Sequence, residues 1–289
     1  MYRLALYLLL PTALAASTVE FEQRSANGGQ LIMQGVPEIP RALAQRIERY
    51  QDVRSAKFLD WTRDGAGIYV STQFGNVSQV HWVSQAGGMR QQLTWYAEPA
   101  GQVLRRAAAE ELAITMDEGG AERDQIFLFD PKNGSTRKLS DGTSRNRLLR
   151  WSPDGSRLAF QSTRRNGRSN DLWIMDPDQP DDASLLLEAP PGSWYGPADF
   201  SDDGRFLLVQ QFLSVLDSRI YVLDLESGSV HRVAGDPEIP SANRAICFDP
   251  LGSGFYFISN ARGRAAELAW RPVEPDSTGI ALSAGIGWD

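Results

Sequence analysis

Nucleophilic or acid–base chemistry in this chain has few side chains to draw on. His81 and His231 are its two imidazoles and Cys247 is its one thiol. A single cysteine excludes an internal disulfide, a cysteine-built metal cluster and a redox pair. A serine nucleophile on a strained strand-to-helix elbow is marked by G-x-S-x-G, and no serine here has glycines two residues before and two after it. The nearest approaches are Gly192-Ser193-Trp194-Tyr195-Gly196, with its serine one place early, and Gly252-Ser253-Gly254, which reads as a hairpin turn. Both histidines have packing roles to fill. His81 stands where Phe127, Trp173 and Tyr221 stand in runs of the same pattern, and is expected to substitute for an aromatic; His231 alternates with Val230 and Arg232 along a predicted strand. Cys247, beside Phe248, reads as a small buried apolar residue. No catalytic, cofactor-binding or metal-ligating residue is assigned.

Two other groups could recognise a ligand. Asp176, Asp178, Asp181 and Asp182 crowd one hairpin with oxygen ligands of the kind calcium takes, but the ligand alternation, central glycine and distal glutamate of a calcium loop are missing. A solvated turn is expected there. The pairs Trp95-Tyr96 and Trp194-Tyr195, in LTWYAEP and GSWYGP, are expected in loops joining successive blades. Exposed aromatics at the mouth of a repeat array suit peptide recognition, which makes Trp95, Tyr96, Trp194 and Tyr195 the candidate binding residues. Recurrence of the pair two units apart equally suits bracing of one unit on the next.

The elements that must position these residues are legible as a repeat. WTRDGAGIYVS at Trp61 recurs as WSPDGSRLAFQS at Trp151, FSDDGRFLLVQ at Phe200 and FDPLGSGFYFIS at Phe248. The last two intervals are 49 and 48 residues and the first is 90, two steps of 45, so a degenerate copy is expected near AAAEELAITMD at Ala107. A second signature keeps the same step: QVHWV from Gln79, QIFLF from Gln125, DLWIM from Asp171, RIYVL from Arg219 and ELAWR from Glu267 are spaced 46, 46, 48 and 48. Each unit reads as two apolar strands about an Asp-Gly-type turn, a polar loop, a third strand, and a further turn such as DPKNGS or DLESGS leading to a fourth. Four short strands per step of this length make the blade of a β-propeller; a β-sandwich would give no reason for one composite motif to recur five times. The expected fold is all-β: five four-stranded blades plus the start of another in PVEPDSTGIALSAGIGWD, closing as a small propeller or left as an open arc.

Residues 1–15 read as an export signal, with Arg3 before the apolar run Leu4 to Leu10 and Ala13-Leu14-Ala15 at the cleavage site. The run is too short for a membrane span, which needs about 20 residues, so export to the periplasm or medium is expected with no span left after cleavage. Residues 16–60 form a lead-in with one short helix, Pro40 near its first turn and Leu43, Ile47 and Tyr50 on the face expected to pack against the first blade; 61–289 are the repeats. Over 289 residues, 42% hydrophobic and 22% charged content is that of a globular protein. With 29 basic against 36 acidic residues, the net charge of −7 offers no basic face for nucleic acid.

The WSPDGSRLAF and FSDDGRFLLV units, each followed by DLWIMD or RIYVLD, resemble the propeller repeats of the prolyl oligopeptidase family of serine peptidases and of the periplasmic propeller protein of the Tol system. The lead-in GVPEIPRALAQRIERYQDVRSAKFLDW, with GIYVSTQFGNVSQVHWV after it, is similar to the start of exported bacterial members of the peptidase family. That resemblance implies an α/β-hydrolase domain following the propeller, with the G-x-S-x-G serine, an aspartate and a histidine on it. Those motifs are missing from this sequence, so the chain is expected to be a gating propeller, inactive by itself. Its partner would be that hydrolase domain or a periplasmic protein or peptide. The alternative is a stand-alone periplasmic protein-binding module.

Overall fold

Short side-chain bonds set the turn that opens each repeat. Thr62 Oγ1 donates to Asp64 Oδ1 at 2.6 Å, the same oxygen accepts the Ala66 amide at 3.0 Å, and Gly65 takes φ +67°. Ser152-Asp154-Gly155 and Ser201-Asp203-Gly204 repeat this arrangement with serine-to-aspartate bonds of 2.6 Å and glycine φ of +69° and +70°. A left-handed backbone at that position is what glycine adopts without a Cβ penalty. The degenerate copy is real: its turn closes through the Ala109 amide on Arg106 O at 3.1 Å, without a left-handed residue.

The computed structural model describes residues 22–51, 54–263, 266–274 and 277–283. The expected signal, Met1 to Ala15, and the last residues of the C-terminal fragment lie outside them. A hairpin of β1 (Gln23–Ala26) and β2 (Leu31–Gln34) leads to helix α1 (Arg41–Gln51). Five four-stranded antiparallel sheets follow. The first blade is β3 (Ala56–Trp61), β4 (Ile68–Thr72), β5 (Gln79–Val83) and β6 (Gln91–Gln92), so it begins ahead of the boundary expected at residue 61. The second is β7 (Val103–Arg105), β8 (Leu112–Met116), β9 (Gln125–Phe129) and β10 (Thr136–Lys138). The third is β11 (Asn146–Trp151), β12 (Leu158–Ser162), β13 (Asp171–Asp176) and β14 (Gln179–Leu187). The fourth is β15 (Trp194–Phe200), β16 (Phe206–Ser214), β17 (Asp217–Asp224) and β18 (Val230–Ala234). The fifth is β19 (Asn243–Phe248), β20 (Gly254–Ser259), β21 (Glu267–Pro272) and β22 (Ile280–Ala281). This is a β-propeller architecture.

Register confirms the repeat residue by residue. His81, Phe127, Trp173, Tyr221 and Ala269 oppose Val70, Ile114, Phe160, Val209 and Phe257 on their second strands, the same rung in every blade. Antiparallel order puts the turns between first and second and between third and fourth strands at one end of the blades. The loops between second and third strands, and the connections from blade to blade, share the other, here the connector end. Apolar seams between successive blades form the core, for example Ile126, Leu128, Leu149, Leu158 and Phe160 between the second and third. Polar side chains cross the same seams near the innermost strands. Asp60 Oδ2 accepts the Arg105 amide at 2.9 Å, Gln102 accepts the Leu149 amide at 2.9 Å and donates to its carbonyl at 3.1 Å, Arg150 donates to Ala198 O, and Asp199 Oδ2 accepts the Phe248 amide at 2.9 Å.

Two further expectations are corrected. Helix α1 does not bury its apolar face on the first blade: Leu43, Ile47 and Tyr50 are all exposed, Tyr50 by 78%. The helix instead turns Gln45, Glu48 and Arg49 toward the β4–β5 loop, across a cleft floored by Gln73 and Phe74. On β3, Phe58 and Trp61 are also exposed, whereas Trp151 at the matching place in β11 packs on the second blade with Nε1 donating to Leu104 O at 3.3 Å. The blades thus form an arc whose first member leaves Phe58 and Trp61 uncovered among the described residues, while Val70 and His81, on the same rung as Phe58, are buried. The second correction concerns Trp194-Tyr195, which opens strand β15 and does not lie in a connecting loop.

Candidate functional site

At the connector end, one recurring position holds the chain in place: the first residue of the third strand. Gln79 Oε1 accepts Thr94 Oγ1 at 2.7 Å and the Tyr96 amide at 3.0 Å, while its Nε2 donates to Tyr96 O at 2.8 Å. In the second blade, Gln125 Oε1 accepts Ser140 Oγ at 2.6 Å and the Gly142 amide at 3.0 Å, and its Nε2 donates to Ser144 O at 2.7 Å. Asp171 does this in the third blade, accepting the Ala189 amide at 2.7 Å and the Arg165 guanidinium at 2.8 and 3.1 Å. These buried polar side chains fix the blade-to-blade connections. Sequence reasoning passed over them, although the polar letter opening QVHWV, QIFLF and DLWIM was the available signal.

The aromatic candidates are not brought together. Trp95 and Tyr96 follow β6, between the first and second blades, and Trp194 and Tyr195 open the fourth. Trp95 is 75% exposed. Tyr96 reaches the second blade through its hydroxyl, 2.9 Å from Thr136 Oγ1, and burial pushes that hydroxyl's pKa up. Trp194 stacks on Phe212 with centroids 5.2 Å apart and bridges to Asn170 of the third blade. Tyr195 packs edge-on to Tyr221 at 6.0 Å, its carbonyl accepting Gln161 Nε2 of the third blade at 2.8 Å. Three of the four are therefore engaged in bracing, and Trp95 is the exposed one.

Residues weighed for acid–base chemistry occupy separate places. His81 is 1% exposed, its ring 5.3 Å from Phe74, with Nδ1 donating to Gln79 O at 3.1 Å and Nε2 without a partner among the described residues. Burial pulls its pKa below the usual imidazole range, so it packs as a neutral ring. His231 lies on β18 at the opposite end, beside a groove it shares with Phe206, Val222 and Ser253. Ser253 Oγ is committed to Asp249 Oδ2 at 2.7 Å. Burial, then Asp199 and Asp249, push the Cys247 thiol up, away from thiolate reactivity. In the aspartate hairpin, Asp176 accepts the Asp178 amide at 2.8 Å, and Asp178 reaches Arg106 at 3.3 Å and Arg137 at 3.5 Å in the second blade.

A cavity of about 430 Å³ opens at the connector end between the second and third blades, lined by Glu122, Arg123, Thr143, Arg145, Thr163 and Arg164 among others. It brings three arginines from three separate loops to one place.

Residues 107–265 match the N-terminal β-propeller domain of prolyl oligopeptidase. The chain belongs to that family. No curated protein matches it. Among solved structures, the prolyl oligopeptidase fold is shared with a prolyl endopeptidase analysed for inter-domain dynamics in catalysis and specificity, at TM-score 0.66 and 11% identity over 92% of this chain and 46% of that one. Prolyl oligopeptidase B from Galerina marginata, bound to a 35mer hydrolysis and macrocyclization substrate, superposes at TM-score 0.61 and 13% identity with the same coverages, 92% and 46%. TolB from Acinetobacter baumannii does so at 0.52 and 15%, over 90% of this chain and 58% of its own. At these identities the likeness is one of fold. The chain spans about half the length of the two peptidases.

Proposed function

We propose that this prolyl oligopeptidase-family propeller acts as the gate of a serine peptidase, standing over an α/β-hydrolase domain and limiting entry to short peptides while contributing no nucleophile of its own. The observation that carries the reading is the placement of the two flanks of the blade array. Strand β3 starts and β22 ends at the connector end. Since every whole blade begins and ends there, a domain joined to either flank meets that end whatever the number of blades between. The clamped connections, the exposed Trp95 and the arginine-lined cavity all lie on it. Peptides held between the propeller and that domain would meet these groups.

The chain alone should not turn over a chromogenic dipeptide. Combined with the α/β-hydrolase domain of a family member, it should suppress cleavage of a long unfolded polypeptide and spare the dipeptide. Equal suppression of both, or turnover by the chain alone that a serine-directed phosphonate abolishes, would sink the reading. Export belongs to the same proposal: protein recovered from the periplasm or medium should begin at Ala16 by N-terminal sequencing, and an intact Met1 on soluble cytoplasmic protein would remove it.

A further inference from the structure

The three arginines of the connector-end cavity are short of counter-charge. Arg123 comes from the β8–β9 loop, Arg145 from the connection between β10 and β11, and Arg164 from the β12–β13 loop. Among the described residues, the Arg145 guanidinium makes one hydrogen bond, from Nη2 to Asn170 Oδ1 at 3.0 Å, and its Nε is buried without an acceptor. Arg164 lies over the Trp173 ring at 5.8 Å and comes no nearer than 3.9 Å to Asp141, whose oxygens already accept the Ser144 hydroxyl and the Thr143 and Ser144 amides. The Arg123 guanidinium has no ion-pair partner among the described residues. Neighbouring arginines are treated differently: Arg165 holds Asp171 at 2.8 Å and reaches Glu188 at 3.2 Å, and Arg147 holds Asp124 at 3.1 Å. Within the lining, only the exposed Glu122 opposes the three cations, although the chain as a whole carries −7. Like charges gathered in one lining repel unless an anion sits among them.

We propose that this cavity binds the C-terminal carboxylate of a short peptide. An arginine fork takes a carboxylate through two parallel bonds, which an ammonium cannot do. Thr163 adds a neutral donor: its Oγ1 accepts the Arg145 amide at 3.0 Å, and its own O–H proton is uncommitted among the described residues. The space of about 430 Å³ falls in the range of small-ligand clefts. That the carboxylate belongs to a peptide rests on the gating reading; the anion site stands on its own geometry.

The test is a calorimetric titration of the purified chain with acetyl-Ala-Ala as the free acid, with its C-terminal amide, and with inorganic phosphate. The acid binds saturably, the amide binds about tenfold or more weakly, and Arg145→Ala and Arg164→Ala each weaken the acid by about tenfold. Arg168→Ala, a neighbouring arginine outside the lining, leaves binding unchanged. Equal binding of acid and amide, or no binding of the acid, overturns the site. Phosphate binding as tightly as the acid overturns the peptide assignment. Should Arg145→Ala fail to fold, the Arg164→Ala variant and the acid–amide comparison still decide. A chain that binds the acid but suppresses no hydrolase keeps this site and loses the gate, so the two failures are separable.

Discussion

Replacing Gln102 cuts the clamp between the second and third blades at one point. Leu149 is fully buried, and Gln102 Oε1 is the acceptor for its amide; its carbonyl keeps a second donor, Arg150 Nη1 at 2.8 Å. Gln102→Ala therefore leaves one buried N–H without a partner, at about 1–3 kcal/mol, and removes one further bond worth roughly 0.5–1 kcal/mol. For a domain of this size each kcal/mol moves Tm by about 2–4 °C, so a fall of roughly 3–16 °C is expected. Leu148, the residue before it, holds φ +54°, a left-handed conformation that costs a bulky residue energy. Gln102→Met keeps the side-chain volume and loses both bonds, which separates the hydrogen bonds from packing. Thermal unfolding followed by circular dichroism measures both variants. If Gln102→Met melts within about 1 °C of the parent, polar clamps across the seams do not hold the blades together and the reasoning is wrong.

Gly155→Ala should destabilise more than Gly65→Ala in urea unfolding. Both glycines have φ near +70°, but a Cβ at Gly155 meets Arg106 Cγ at 3.0 Å and the Ala108 amide at 3.2 Å in the neighbouring blade, while Gly65 has nothing within 4 Å. Equal costs would mean that the turn does not press on the next blade. The Asp154 carboxyl is lowered from 3.8 to about 2 by the Ser152 hydroxyl and then the Ser156 amide and hydroxyl. A depressed folded pKa stabilises above the unfolded value and loses that contribution as pH falls through the folded one, so Asp154→Asn should flatten the loss of stability between pH 3.8 and about 2. An unchanged acid-unfolding profile would refute that role. His81 is lowered from 6.5, so the unfolded chain takes up its proton first and stability declines as pH drops below 6.5. His81→Phe, matching Phe127, removes the orphaned Nε2 and also the Nδ1 bond to Gln79 O, which roughly offset each other, and should remove that slope; a retained slope would place the titration elsewhere.

Strand order and rung were readable from residue types because apolar packing repeats itself: His81, Phe127, Trp173 and Tyr221 fill one position, and an Asp-Gly pair announces most first turns. The seam clamps obey the same spacing but were invisible. Asp60, Gln102, Arg150 and Asp199 carry out one task with three different side chains, since a backbone amide or carbonyl needs an acceptor or a donor and no particular residue. What the helix packs against is unreadable for a related reason, although the helix itself lies where expected. Leu43, Ile47 and Tyr50 mark an apolar face, yet periodicity carries no information about what covers it. The arginine cavity was equally unreadable, because Arg123, Arg145 and Arg164 meet only once three loops are folded to the same end.

Because each clamp reaches only to the following blade, cohesion in the arc is a matter of nearest neighbours. Interior blades are gripped from both sides, and the first is gripped on one side alone, with Phe58 and Trp61 facing water. Opening should therefore begin at the flanks and travel inward like a zipper, as in other stacked repeats. Amides of the second to fourth blades would then exchange with solvent last, and the arginine cavity would lie in the slowest-opening stretch of the chain.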